Sequence, residues 1–275
     1  MKFKLIFILF NVLMIFSFIM IIILPLFVFG SEYSLVFMKN NWYIGLFFAL
    51  VIAGLNVYFA KNWKLFTHLE REDWPGLIEY LERDIYTRDK YGKRSVKLLI
   101  NAYLLNSKIE EITKLRLKLE EDKPKLAEKF ILQFGVPCLA RNDPAEISNF
   151  FGKYLYLKDK QGPWINWCYC FGLILQKKIE EGVNSLSASL SETTDPIIRM
   201  LSIYLLDSIT SEEDLNKQRI VEEKSKFSRK YTRNVMEKEM EKQKSNILVA
   251  VLAKIITQAL GWIFASGENK GEKIS

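Results

Sequence analysis

The stretch 5-LIFILFNVLMIFSFIMIIILPLFVF-29 decides how the rest of the chain is read. It carries no charged side chain over 25 residues, and a helix needs roughly 20 to cross the hydrocarbon core of a bilayer. A second run, Trp42 to Ala60, holds 19 residues. Trp42, Tyr43 and Tyr58 lie near its ends, where amphipathic rings favour the membrane interface. The two runs predict a transmembrane helical hairpin over residues 1–60, with spans at about 5–29 and 42–60. Residues 1–30 also fit a cleaved signal peptide, since Lys2 and Lys4 make a basic start and Val28-Phe29-Gly30 offers a cleavage site. The apolar region is about twice the usual signal length of roughly 7–15 residues, and Pro25 is tolerated in a spanning helix. Both points favour the span.

Lys and Arg placement sets orientation. Lys2 and Lys4 precede the first span, Lys39 alone lies between the spans, and Lys61, Lys64 and Arg71 follow the second. Both outer flanks are therefore expected on the cytoplasmic side, as in a bacterial inner-membrane protein. Cys138, Cys168 and Cys170 form an odd set, and Cys168 and Cys170 are poorly spaced to bridge each other. Reduced thiols fit a cytosolic domain. With His68 as the single histidine, the set falls short of a structural zinc site.

After residue 61 the composition changes to Leu, Lys, Glu and Ile, which favours helices. Turn signals punctuate it at Pro75-Gly76, Pro124, Asp143-Pro144, Gly162-Pro163 and Asp195-Pro196. A short pattern recurs: Ile109-Glu110-Glu111-Ile112, Ala145-Glu146-Ile147 and Ile179-Glu180-Glu181-Gly182. Residues 112, 147 and 182 lie 35 apart, and one further step back reaches Leu77.

On these residues the chain resembles a degenerate tetratricopeptide repeat array, whose two-helix unit is about 34 residues long. Leu99, Asn101-Ala102-Tyr103, Ser107, Ile109-Glu110-Glu111, Leu119 and Pro124 fall where that family places its leucine, aromatic, turn, second helix and terminating proline. In the next unit Phe134-Gly135 takes the leucine-glycine place, with Phe151 and Tyr154 on the second helix. Gly182, Leu186 and Ser189 mark a third unit, and Leu201-Ser202 through Glu212-Glu213 a shorter fourth. Ile100, Ile112 and Leu119 replace small residues of the family pattern, and Arg116 replaces an apolar one. The resemblance covers residues 61–216 and implies an all-α fold, a helical-hairpin solenoid following the hairpin. Other helical-hairpin folds share the same local signals.

The solenoid's inner face, lined by the first helix of each unit, is where that family holds partner segments. Here the resemblance points to Lys97 and Asn101, then Leu132 and Val136, then Trp164, Trp167 and Phe171 as partner-binding candidates. Aromatic side chains dominate interface hot spots, although the same three aromatics also suit packing between units. Gln133, Trp164 and Cys168 replace the other polar groups of the family's carboxylate clamp, which disfavours that specific activity.

Residues 217–246 read as a long exposed charged helix. Between 217 and 244 ten Lys or Arg face five Glu, a net of +5 within a chain total of +7. Lys224, Lys226, Arg229, Lys230 and Arg233 suit anionic lipid at ~1 kcal/mol per basic residue. A nucleic-acid role is disfavoured, since no helix-turn-helix, zinc finger or RNA-binding signature accompanies the charge. Residues 247–265 read as an amphipathic helix with Lys254 on its polar face and Trp262 as an interfacial candidate. It fits three places: the membrane interface, the open end of the solenoid, or a third span. Residues 266–275 form a polar tail.

No Walker loop, dinucleotide fingerprint, zinc-protease helix, nucleophile elbow or kinase signature is present, so no catalytic residue, metal ligand or cofactor site is expected. The expectation is a non-enzymatic scaffold or adaptor. It would be integral to the membrane, in contact with lipid and with a protein partner, in assembly of an envelope or flagellar-motor complex. Homo-oligomerisation stays open. The competing class is a peripheral lipid-binding or membrane-shaping protein acting through residues 217–265.

Overall fold

In a computed structural model, which describes residues 3–210, 215–244 and 246–265, every regular element among the described residues is helical. The chain divides into two compact units, Met1–Ser107 and Lys108–Ser275. Three residue groups read above lie outside the described residues: Lys2, Glu212-Glu213 and the 266–275 tail.

In the first unit, helices α1 (Phe3–Asn40) and α2 (Trp42–Lys61) take up the two apolar runs. Phe3–Val28 and Trp42–Lys61 are each long and apolar enough to cross a membrane, and neither is buried in the structure. Among the described residues, most of the large apolar side chains left exposed lie between Leu5 and Tyr58. Gly30 breaks α1 at φ 83, ψ 175, a conformation that an L side chain rarely adopts. The break thus falls one residue after Phe29, where the first apolar run ends.

The two helices run antiparallel along a seam of rings, with Phe7 on Phe59 at 4.4 Å and Phe18 near Phe48 at 5.7 Å. Between those pairs the Asn56 amide donates to Asn11 Oδ1 at 2.9 Å. Such a side-chain bond between spans contributes on average about 0.6 kcal/mol. At the foot of the hairpin Phe66, on α3 (Trp63–Glu70), stacks against Phe3 at 5.4 Å and meets Phe59 at a tilt at 5.1 Å. Lys4 lies 5.1 Å over Trp63, and Arg94 lies 5.8 Å over Phe66. Aromatic bodies with cationic tips suit a zone apolar on one side and wet on the other.

Helix α4 (Trp74–Glu82) begins where Asp73 accepts from the Gly76 N–H at 3.0 Å, with Pro75 in the first turn. This is a side-chain N-cap followed by a proline whose missing N–H has no helical partner to lose. His68 Nδ1 lies 2.8 Å from Asp73 Oδ2. The Gly76 bond, followed by the His68 bond, holds the Asp73 carboxyl below its ordinary value. A π-helical turn, Arg83–Thr87, leads to α5 (Lys93–Leu105). Leu77, Ile78, Leu81, Ile85, Val96 and Leu99 form the core there, each nearly or fully buried. The Tyr103 hydroxyl donates to Glu82 at 2.8 Å, and burial pushes its pKa far up.

The second unit continues with α6 (Ile109–Asp122), α7 (Pro124–Ala127), a 3-10 turn, α8 (Ile131–Phe134), α9 (Val136–Arg141) and α10 (Pro144–Gly152). Then come α11 (Gly162–Leu175), α12 (Ile179–Glu192), α13 (Pro196–Ile209), α14 (Leu215–Lys230), α15 (Arg233–Lys242), α16 (Ile247–Val251) and α17 (Ala253–Phe264). Asp143 and Asp195 cap α10 and α13 as Asp73 caps α4, each followed by proline. Helix α10 packs closely on α11, α11 on α12, and α12 on α13. Gly172 permits the first approach, since a Cβ there would lie 2.7 Å from the Ser148 backbone N.

The 35-residue interval reappears in the backbone. Glu72, Ser107, Asn142 and Lys177 all adopt positive φ, at 54, 55, 54 and 65°. Each precedes by two residues the start of a helix: Trp74, Ile109, Pro144 and Ile179. A left-handed residue ends the preceding helix so that the chain can reverse. It costs a residue with a Cβ roughly 1–2 kcal/mol, so its recurrence in Glu, Ser and Lys is imposed by the turn and not by the side chain. Leu77, Ile112, Ile147 and Gly182 each lie three residues into those helices and are all buried.

Residues 217–246 differ from the single exposed helix expected. Thr232 leaves the helical region and its hydroxyl accepts from the Val235 N–H, so α14 ends and α15 begins as a separate helix. Both turn apolar side chains inward: Ile220, Phe227 and Met236 are buried. Helix α16 lies on α8 and α9, whereas α17 lies on α13, α14 and α15.

Candidate functional site

Among the expected partner-binding residues, Lys97 and Asn101 are exposed on α5. The others belong to the second unit and, apart from Phe171, are buried. Leu132 is 7% exposed, Val136 3%, Trp164 3% and Trp167 1%, with Phe171 half-buried. Of the two readings of the aromatics, packing between helices fits Trp164 and Trp167, which are core, while Phe171 stays partly exposed. Helix α11 meets α10 at Gly172, and Gln176 Nε2 donates to the Pro144 carbonyl at 2.9 Å. It meets α12 where the Tyr169 hydroxyl donates to Glu181 at 2.9 Å. It also packs on α8 and α13, the helices that α16 and α17 cover in turn. Trp167 stacks on Phe171 at 5.2 Å. Helical spacing of Trp164, Trp167 and Phe171 marked one face of α11, but a helix apolar all round gives no sign of which faces are covered.

The basic residues offered as a membrane surface are dispersed and largely engaged. Lys224 lies 3.8 Å over the Trp262 ring, and burial lowers its pKa. Lys226 pairs with Glu223 at 3.0 Å, and Arg233 with Glu237 at 3.3 Å. Arg229, Lys230 and Lys254 remain exposed, with Lys230 5.2 Å over Tyr231. Trp262 meets Tyr204 edge-on at 5.6 Å. On α17, Ile256, Ala259, Leu260 and Ile263 are buried within the unit, so insertion of that face into lipid would require α17 to leave α13. Burial raises all three thiols: Cys138 to about 12, Cys170 to about 11, and Cys168 further still. Buried neutral thiols are poor nucleophiles and poor metal ligands.

One open feature of the second unit was missed in the sequence. A groove of about 470 Å³ runs between the 155–158 segment, the first turn of α11, the C-terminal half of α12 and Ile198 of α13. Leu155, Leu157, Pro163 and Ile198 give it apolar walls, while Asn166, Ser185, Ser189 and Thr193 give it polar ones. Gly162 lets the 155–158 segment pass close to the helix start, since a Cβ there would lie 2.6 Å from the Leu157 carbonyl oxygen. The only other signal was the Ser185, Ala188 and Ser189 spacing, which puts small side chains on one face of α12. A second hollow, lined by Leu190, Ile203, Arg219 and Glu223, measures about 20 Å³. That is room for about one water.

A family described as "Uncharacterised Treponema protein" matches residues 111–265. A protein of Treponema pallidum (strain Nichols), described as an uncharacterized protein, is 28% identical over 168 residues. The match covers 61% of this chain and 54% of the relative, so the chain spans about half the length of the curated relative it matches. No solved structure matches.

Proposed function

We propose that this chain, which belongs to the uncharacterised Treponema protein family, is a membrane-anchored scaffold that binds a protein partner without turnover. The observation that carries the reading is the hairpin of α1 and α2, which leaves nearly its whole apolar surface outward. In water an exposed apolar surface of that extent is strongly unfavourable, at roughly 25 cal/mol per Å². In a bilayer it is the ordinary state of a spanning helix. Lys4, Lys61 and Lys64 at the foot of the hairpin support a cytoplasmic helical domain.

The 35-residue recurrence of left-handed turns and helix starts supports a degenerate tetratricopeptide-like array. In this reading α15, α16 and the amphipathic α17 cover the first helices of the later repeats, so a partner engages elsewhere. The exposed Lys97 and Asn101 on α5 are the remaining expected contacts. The lipid-binding alternative loses support from the burial of the apolar side of α17.

Photo-crosslinking in the native membrane tests this reading. A photoreactive residue at Lys97 or Asn101 is expected to yield a discrete adduct that is absent when the probe stands at exposed Tyr156. The same adduct pattern from all three positions, or none from any, would contradict it.

A further inference from the structure

We infer that Lys61 of α2, with Lys93 and Arg94 of α5, forms a docking surface for the headgroups of anionic lipids in the adjoining leaflet. The inference rests on the reading of α1 and α2 as membrane spans. Tyr58 lies three residues before Lys61, the last residue of α2, where an aromatic body with a polar tip suits the boundary between hydrocarbon and headgroups. Arg94 is 36 residues away in sequence, yet its Nη1 donates to the Tyr58 hydroxyl. Its guanidinium also lies 5.8 Å over the Phe66 ring, and Phe66 meets the Tyr58 ring edge-on at 6.2 Å. These contacts hold the start of α5 beside the end of the second span, a placement that sequence order alone does not require.

The patch carries positive charge without a countercharge. Lys61, Lys93 and Arg94 are exposed, and among the described residues none of them pairs with a carboxylate. Asp73, Glu79 and Asp84 of the same unit take His68, Arg83 and Arg88 as partners instead. Arginine presents five N–H donors in a fork that matches phosphate. Tyr58 occupies one donor of Arg94, which leaves the rest for phosphodiester oxygens. Tyr58 and Lys61 share a face of α2, and Gly54 and Leu50 continue that face toward the middle of the span. Leu50 is 64% exposed, and a Cβ added at Gly54 would meet nothing within 4 Å. A lipid whose headgroup sits on the cations therefore has an open apolar track for its acyl chains, which a soluble phosphate cannot use. Lys97 and Asn101, the proposed partner contacts, begin about one turn further along α5.

Native mass spectrometry of the full chain in detergent tests the inference, by titration with phosphatidylglycerol and phosphatidylcholine of equal chain length. Saturable retention of phosphatidylglycerol is expected, with phosphatidylcholine bound at least about tenfold more weakly. Arg94→Gln and Lys93→Gln should each weaken phosphatidylglycerol by about fivefold, the equivalent of about 1 kcal/mol per basic residue. Lys125→Gln, at an exposed lysine of the second unit, should leave it unchanged. Circular dichroism should show all three variants folded.

Equal retention of the two lipids, unchanged affinity in either Arg94→Gln or Lys93→Gln, or an equal loss in Lys125→Gln would each overturn the inference. So would displacement of the lipid by glycerol 3-phosphate at the lipid's own concentration, which would make the ligand a soluble phosphate. Carbonate extraction of native membranes reads the spans separately. A chain that stays in the pellet but does not prefer phosphatidylglycerol defeats this inference alone, whereas a chain released by carbonate defeats the reading on which it rests.

Discussion

The hairpin and the Lys108–Ser275 unit are both helical and rich in large apolar side chains, yet they dispose of them in opposite directions. In the hairpin Phe16 is 62% exposed, Leu13 58% and Phe27 85%, while in the other unit Trp167, Phe151 and Leu201 are at most 1% exposed. Side-chain chemistry alone does not distinguish the two regions. Charge does: the apolar runs 5–29 and 42–60 have none, whereas α6 sets glutamates and lysines, and α12 glutamates and serines, between their inward apolar residues. One region buries its apolar side chains against itself, and the other leaves them outward on two helices long and apolar enough to cross a membrane.

The largest test of that contrast is truncation at matched aromatics. Trp167→Ala should cost about 3–5 kcal/mol in the stability of its unit, whereas Phe16→Ala in the hairpin should leave that stability unchanged. Thermal and denaturant melts of the detergent-solubilised chain, followed by circular dichroism, would show the difference. A charge in the first span comes next. Leu13→Lys should cost about 2.5–3.5 kcal/mol of membrane insertion, measured as the fraction of chain in the membrane pellet. If the hairpin faced water, the same change at a side chain this exposed would be harmless.

Smaller effects sharpen the contrast at the contacts themselves. Gly172→Ala forces a methyl against the Ser148 backbone and should destabilise the second unit by about 1–3 kcal/mol. Asn56→Leu removes the amide bond to Asn11 and should weaken the hairpin by only about 0.6 kcal/mol, detectable as a small change in steric trapping or unfolding under force.

The smallest effect is a response to acid. Burial raises the Glu223 carboxyl, but hydrogen bonds from Arg199 and Lys226 outweigh it and hold the group below its ordinary value. A depressed carboxyl stabilises the fold above the ordinary glutamate range, and this contribution disappears as pH falls through the lower folded value. For a partly exposed pair it amounts to about a few tenths of a kcal/mol. Glu223→Gln should therefore flatten the melting curve's pH dependence slightly below about pH 4.5.

The helical class, the two apolar runs and the 35-residue interval were legible because each depends on local signals: uncharged length, helix-forming composition, and the recurrence at Ile112, Ile147 and Gly182. The backbone adds the reason for that interval, a left-handed turn at Ser107, Asn142 and Lys177 that three different side chains tolerate. What the sequence concealed depends on distant parts of the chain. Trp164 and Trp167 stand on a helix that is apolar nearly all round, so their burial was decided by neighbours elsewhere in sequence. Residues 217–246 appeared exposed because their charges dominate, yet Phe227 and Met236 face inward. The groove at Thr193 was invisible because its walls come from three helices and a loop.

Alkaline carbonate extraction of native membranes bearing the full chain tests the central claim most directly. The account predicts that the protein stays in the membrane pellet and is released only by detergent. Recovery of the intact chain in the carbonate supernatant would show that α1 and α2 do not span the bilayer, and would contradict it.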